Sequence, residues 1–501
     1  MTVRQKQIDR KVVPRFHGLM VAGRQHETAS ASIANADHSL SAGDELTVLL
    51  AEWESNRSPA FAADLVAAAL VLGGEARAQE AAGYLLATSH HSLDKQLARR
   101  LLGEDIVNEF DDDNDLELQD VQPQIARLKR GVRADPRAAL LWAELARRYA
   151  TLGQRQKAAD AMRVALELAP EDRFLLRSAA RLNLHLDDPE KAHRLLTSAL
   201  STPHDPWLVA AEIAVAPLAG RHSRLIRHGK RLVESGKFRP EALSELQSAL
   251  ATEAMIAGSR KDTRRFFEGS LFRPTENSVA QAEWASRQGA RIDVSEQLVA
   301  DVEDSFEARA QMLSEAGDSE RAIDSTWAWL RSEPFASLPA VFGSHEAALS
   351  SRYDEAIRFA TFGLRANPDE FLLRNNIAFA LASAGDPDCA RRHLAEIELD
   401  SLTDEQQRVL TATRGLIAFR SGDISEGRRL YLDTIKRADS IGLRAIAAVL
   451  LAREEILAHT DLASAARAAA QHFADSAERT PSARADRVTG WLAHLEAETS
   501  D

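Results

Sequence analysis

Along most of the chain, apolar residues return every three or four positions, the spacing of helices that bury one face. The pattern sets in near Asp44. AFAADLVAAALVLGG and EARAQEAAGYLLATS read as two helices joined at Gly73 and Gly74, and SLDKQLARRLL reads as a third. Residues 44–102 are therefore expected to be a helical N-terminal region, open to reading as a divergent repeat. Before it, residues 1–43 mix Ser, Ala, Asn, His and charges without a period, which predicts a poorly ordered polar arm. After it comes an acidic loop at residues 103–121. Residues 103–120 hold nine carboxylates and no Lys or Arg, a run that repels itself and stays solvated. Asp111, Asp113 and Asp115 have the spacing of a calcium loop. Leu116 stands where that loop requires Gly, and Gln122 where it requires Glu, which argues against calcium.

Beyond residue 121 a longer period appears. Pro136 and Pro170 are 34 residues apart, as are Pro206, Pro240 and Pro274 in succession, and Pro334 and Pro368. A fixed period of this size signals a repeat array. Between Pro136 and Pro170, Trp142, Leu145 and Tyr149 share one helical face. Ala146 and Ala158 are small where two helices approach. Gly153 suits the left-handed residue that ends a first helix. Ala165 leaves room for the next repeat, and Pro170 stops the second helix. At each signature position this unit resembles the tetratricopeptide repeat (TPR). The register recurs at Ala180, Ala192 and Ala199, at Ala310, Gly317 and Ala322, at Ala356 and Pro368, at Ala378, Gly385 and Ala390, and at Gly415, Gly422, Gly427 and Tyr431. TPR units are thus expected at 122–206 and 303–440. Divergent basic TPR-like units lie between them at 207–302, where Pro217 falls inside a first helix and Ile226 replaces a small residue. Residues 441–501 read as C-terminal capping helices and a short tail.

The resemblance implies an all-α fold, a right-handed superhelical solenoid of TPR-like helical hairpins in which each repeat packs on its neighbours. It also implies a concave groove lined by the first helices, where family members hold extended peptides or partner helices. Carried over by register, the groove places are Ala143 and Arg147 in the first clear unit, and Arg177, Arg181 and His185 in the second. Arg147 and Arg181 take the same place one repeat apart, with Arg177 one turn before Arg181. Guanidinium groups on one wall suit a carboxylate or another planar anion. They equally suit ordinary ion pairs with Glu144 or Glu171. Asn375, Asn376 and Phe379 fall on the groove side of a later unit. Asn376 matches a place where carboxylate-clamp members hold a peptide backbone, although Val341 and His345 stand where that clamp needs cations.

Composition agrees with helix: 45% of residues are hydrophobic but only 6% aromatic, and Ala and Leu dominate. A single cysteine, Cys389, excludes an internal disulfide and suits a reducing compartment. The longest apolar stretch, residues 65–72, is too short for a membrane span, and the N-terminus has no apolar signal core. A cytoplasmic location without membrane contact is expected. The net charge of -13 is uneven, because residues 218–273 hold 12 Lys and Arg against 6 Asp and Glu. Arg224, Arg227, His228 and Arg231 have the spacing of one helical face, and Arg260, Lys261, Arg264 and Arg265 form a second cluster. These suit an acidic protein surface or the chain's own acidic loop better than a nucleic-acid backbone. The only neighbouring aromatics, Phe266 and Phe267, read as core.

No phosphate-binding loop, zinc-protease or nucleophile-elbow motif is present, and no cofactor or metal is expected. Arg221 with His228, and Arg10 with His17, fit the loose spacing of HEPN-type ribonucleases, but no acidic partner or fold context accompanies them. The expected function is a non-enzymatic scaffold or adaptor that binds a partner protein or peptide in the groove. The alternative is a regulatory or sensor subunit of a multi-component effector, such as a toxin or defence nuclease, with catalysis in another chain. The oligomeric state stays open.

Overall fold

The computed structural model describes residues 13–18, 42–72, 74–88, 92–103, 121–439 and 441–478. The acidic loop and the Asp111, Asp113 and Asp115 triplet lie outside these, as does the tail after residue 478. Every regular element among the described residues is helical. The chain divides into two compact units. The N-terminal unit is Arg4–Ala308 with Arg331–Phe335, and the C-terminal unit is Arg309–Leu330 with Ala336–Asp501.

The N-terminal unit begins with α1 (Ala42–Ser55), α2 (Pro59–Leu72), α3 (Glu75–Thr88) and α4 (Ser92–Leu102). The expected hairpin is α2 with α3, turning at Gly74 with φ +113°. There follow α5 (Val121–Ala134), α6 (Ala139–Thr151), α7 (Arg155–Leu168), α8 (Arg173–His185), α9 (Pro189–Ser198), α10 (Pro206–Val215), α11 (Ile226–Glu234), α12 (Pro240–Ile256), α13 (Arg260–Ser270), α14 (Glu276–Arg287) and α15 (Glu296–Asp301). Each helix packs on the next or next-but-one along most of this run, as a hairpin array does.

Local chemistry sets the boundaries. The side chains of Asp172, Asp188, Asp205 and Thr275 cap α8, α9, α10 and α14 by accepting backbone N–H bonds, and Pro189 and Pro206 open their helices at positions that need no N–H. Ala146, Ala158, Ala165, Ala180 and Ala192 are wholly buried, as expected of positions where helices touch. Gly153 has φ +65°, the left-handed turn its place in the repeat requires. One period on, Asp187 adopts φ 63° without being glycine.

The middle departs from the repeat, and the structure supplies a reason. Pro217 does not sit inside a helix, because α10 ends at Val215 and the chain turns through residues 216–225 before α11. Trp207 and Ala242 are buried in one cluster with Leu46, Trp53, Leu65, Leu85 and Leu97. Arg239 of the middle also bonds the carboxylate of Glu75 and the carbonyl of Leu70. The middle helices thus carry α1–α4 on one side. Their residues answer to that contact as well as to the repeat, so the signature is lost there.

Two helices cross the division between the units, α16 (Phe306–Glu315) and α17 (Ser319–Ser332). In the C-terminal unit they are followed by α18 (Ser337–Leu349), α19 (Tyr353–Ala366), α20 (Phe371–Ser383), α21 (Pro387–Ala395), α22 (Asp404–Arg420), α23 (Ile424–Arg437), α24 (Ile441–Leu457) and α25 (Ala463–Glu478). From α18 on, these form four consecutive helical hairpins. In the α22–α23 hairpin, Gly415 and Gly427 let two backbones meet. A Cβ on Gly427 would lie 2.9 Å from the Gly415 carbonyl.

Candidate peptide-binding groove

The N-terminal arm is where structure and expectation part most. Residues 13–18 of that arm form no helix, and Pro14, Arg15, Phe16 and His17 are buried inside the N-terminal unit. They lie against α6, α8 and α14, the first residues of α16, and residues 333–335. This is a non-helical peptide held between first helices of a hairpin array.

Arg15 is the anchor. Its Nη1 donates to Glu333 at 2.6 Å, its Nη2 to Glu307 at 2.5 Å and its Nε to Asn277 Oδ1 at 3.2 Å. Glu276 lies 3.9 Å away. Burial by itself would lower the Arg15 pKa, but Glu333, Glu307 and Glu276 outweigh it and hold the guanidinium firmly protonated. Asn277 grips twice, because its Nδ2 also donates to the Val13 carbonyl at 3.1 Å. Both contacts come from the first turn of α14, where the Thr275 cap fixes the backbone.

Phe16 has no exposed surface. Its ring meets Phe174 edge-on at 6.3 Å and Phe335 at 5.8 Å. His17 Nε2 is 3.0 Å from Glu276 Oε1. Burial tends to raise the Glu276 pKa, but His17 and Arg15 bring it below the usual carboxylate value. For Glu307 the balance reverses: burial outweighs Arg15 and the pKa rises. Gly18 ends the segment against Arg147, where a Cβ would stand 2.8 Å from Nη2.

The register-derived residues divide between several environments. Arg147 lies beside Gly18, and Arg181 and His185 lie against Glu333 and Phe335, two of the residues that hold the segment. Arg147 donates to Glu144 with two nitrogens, the ordinary ion pair weighed from the sequence. Arg181 lies 3.9 Å from Glu333 and over the Phe335 ring, with Cζ 5.6 Å from its centroid. His185 meets the same ring edge-on at 5.0 Å. Burial, with Arg181 and Arg155 nearby, pushes its pKa down to about 3. Arg177 corrects the expectation of a groove-facing guanidinium. It is wholly buried, bonded to Glu245 at 2.9 Å and seated over Trp207. The helix turns it toward α10 and α12.

In the C-terminal unit, Asn375 is buried, and Asn376 donates to the Ser344 hydroxyl at 2.8 Å. Asn376 therefore packs α20 on α18. Phe379 lies under Arg453, whose Cζ is 5.6 Å from the ring centroid.

Arg224 departs from the single basic face, because it precedes α11. Arg227 and Arg231 sit exposed on that helix. His228 reaches the Pro203 carbonyl, and Arg221 is 3.6 Å from Glu190. On α13, Arg264 pairs with Glu268 and Arg265 with Asp262, while Phe266 and Phe267 are core as read. The second spacing match, Arg10 with His17, has Arg10 outside the described residues. No helix among the described residues is long and apolar enough to cross a membrane.

Reading the sequence missed Glu276, Asn277, Glu307, Glu333, Phe335 and the segment itself. The available signal was the Pro-Arg-Phe-His run at 14–17, a proline-stiffened stretch that carries the one Phe, Tyr or Trp ring among residues 1–43.

No protein-family model matches the chain. No curated protein is significantly similar to it. Among solved structures it is similar to the APC/C hetero-tetramer Cut9-Hcn1, at 13% identity over 91% of this chain and 92% of that one, with a TM-score of 0.42. It is similar to phAimR at 11% identity over 75% and 97%, with a TM-score of 0.45. The human IFIT1 dimer with PPP-AAAA gives 13% identity over 77% and 96%, with a TM-score of 0.37.

Proposed function

We propose that this chain is a non-enzymatic protein-interaction scaffold whose N-terminal unit binds an extended peptide of a partner protein across its first helices. One observation carries the reading. A non-helical stretch of chain already lies there, gripped through a main-chain carbonyl by Asn277 and through side chains by Glu276, Glu307, Glu333 and Phe335. A helical array that can hold one peptide by these contacts has the chemistry to hold another. Arg147, Arg181 and His185 belong to the rim of this site. Arg224, Arg227 and Arg231 are a secondary basic contact for an acidic protein surface. The single cysteine suits a cytoplasmic setting.

The test is purification of the tagged full chain from its source cells under mild conditions. One polypeptide is expected to co-purify in near-stoichiometric amount, and Arg181→Glu should reduce its recovery at least tenfold. A chain that purifies alone, with and without the substitution, overturns the reading. A co-purifying enzyme whose rate changes on release would replace the plain adaptor by a regulatory subunit.

A further inference from the structure

The groove is already occupied, and by residues of the same chain. We propose that residues 13–17, Val-Pro-Arg-Phe-His, are an internal ligand that blocks the groove, and that the partner which opens it supplies an extended peptide with the same chemistry: a guanidinium followed directly by an aromatic ring. This rests on the peptide-groove reading above and adds to it the identity of the ligand and a means of control.

Two observations make the segment an occupant. It lies among the helices without belonging to any of them. It is also held as ligands are held, with one main-chain carbonyl bonded by an asparagine, one cation bonded by carboxylates and one ring in an aromatic pocket.

The chemistry of the pocket restricts what can replace it. Glu276, Glu307 and Glu333 converge on Arg15. Arg181 lies 3.9 Å from Glu333, and Arg287, which pairs with Glu283, also acts on Glu307, but Arg15 is the cation bonded to two of the three carboxylates. Buried like charges left together are unfavourable, so an incoming ligand must bring a cation. Two hydrogen bonds to two carboxylates from one planar group favour guanidinium over ammonium. The site between Phe174 and Phe335 then selects an aromatic at the next position.

A ligand carried on the same chain at an effective concentration on the order of 1 mM competes with a free one. For an intrinsic Kd of about 10 µM, a free peptide would bind the closed chain about a hundredfold more weakly than the open one.

The probe is a fluorescein-labelled peptide of residues 10–20, RKVVPRFHGLM, titrated by anisotropy into the full-length chain and into its Phe16→Ala variant. The variant is expected to bind at least tenfold more tightly than wild type. The peptide carrying Arg15→Glu should bind neither. Equal affinity for both chains overturns the proposal, since the segment then gates nothing. Binding to neither, with the variant folded by circular dichroism, also overturns it and makes residues 13–17 a fixed part of the fold. That result leaves the scaffold reading to its own co-purification test. If Phe16→Ala does not fold, a protease site introduced at residue 30 of the wild-type chain gives a second measurement. After cleavage, a hundredfold excess of the peptide should release the N-terminal fragment on gel filtration. A fragment that stays bound overturns the proposal.

Discussion

Phe16 and its neighbour Arg15 are the residues on which the distinction between core and ligand turns, and stability measures it. An ordinary core Phe→Ala costs about 3–5 kcal/mol. An occupant contributes only what its local concentration allows, about 2.7 kcal/mol at a hundred times its Kd. Urea unfolding of Phe16→Ala is therefore expected to show a loss below about 3 kcal/mol. His185 supplies a pH dependence from the rim of the same site. In the unfolded chain its ring takes a proton below about 6.5, whereas in the fold it stays neutral down to about 3. The unfolded state binds the additional proton in that window, so stability falls as pH drops through it. The slope is at most about 1.4 kcal/mol per pH unit, and less because solvent partly reaches the ring. Replacing His185 with Gln should flatten the acid limb of the urea midpoint plotted against pH between about 6 and 4. Sequence register named Arg147, Arg181 and His185, which lie beside Gly18, Glu333 and Phe335 respectively. It misplaced Arg177, because a helix face names a direction while the partner in that direction, here Glu245, is decided by a helix far along the chain.

The hairpin turn is the element that the sequence specifies best. The left-handed residue recurs at Gly317, Ser351 and Gly385, 34 residues apart, with φ of 78°, 56° and 97°. Its cause is local: the first helix must reverse within a few residues, and only one residue in that turn takes the left-handed backbone. Ser351 adopts it with a Cβ, at a cost on the order of 1 kcal/mol. Ser351→Gly is expected to raise the stability of the C-terminal unit by up to about 1 kcal/mol, and Gly385→Ala to lower it by about 1–2 kcal/mol, both read as shifts in thermal midpoint. Similar local rules set the helix starts at capping Asp, Ser and Thr residues and the burial of the repeat alanines. They do not set the course of residues 216–225, where α10 stops early at Pro217 and the chain must accommodate the N-terminal helices against Trp207.

For the molecule as a whole, stability in a hairpin array is close to a sum of nearest-neighbour contacts, so damage stays near its source. Arg15→Ala removes the common partner of Asn277, Glu307 and Glu333. Amide hydrogen exchange is expected to rise at residues 276–287, 306–308 and 331–335, and to stay unchanged at residues 404–457 of the C-terminal unit. A uniform rise over both would contradict the nearest-neighbour picture. The net charge of -13 also has a more local meaning at this scale. Three of its carboxylates form the receptor for one guanidinium, and much of the basic middle is paired with acids beside it.

Period, turn chemistry and small-residue spacing come from interactions within about 34 residues, and a chain carries those wherever it goes. By themselves they determined the all-α hairpin array and the spacing of its turns. The contacts of Arg15 with Asn277, Glu307 and Glu333 join residues more than 260 positions apart. No periodicity encodes such a meeting. It exists only once the array has brought α6, α8, α14 and residues 331–335 around one space, and that space, with its three carboxylates and two rings, turns an unremarked Val-Pro-Arg-Phe-His into a ligand.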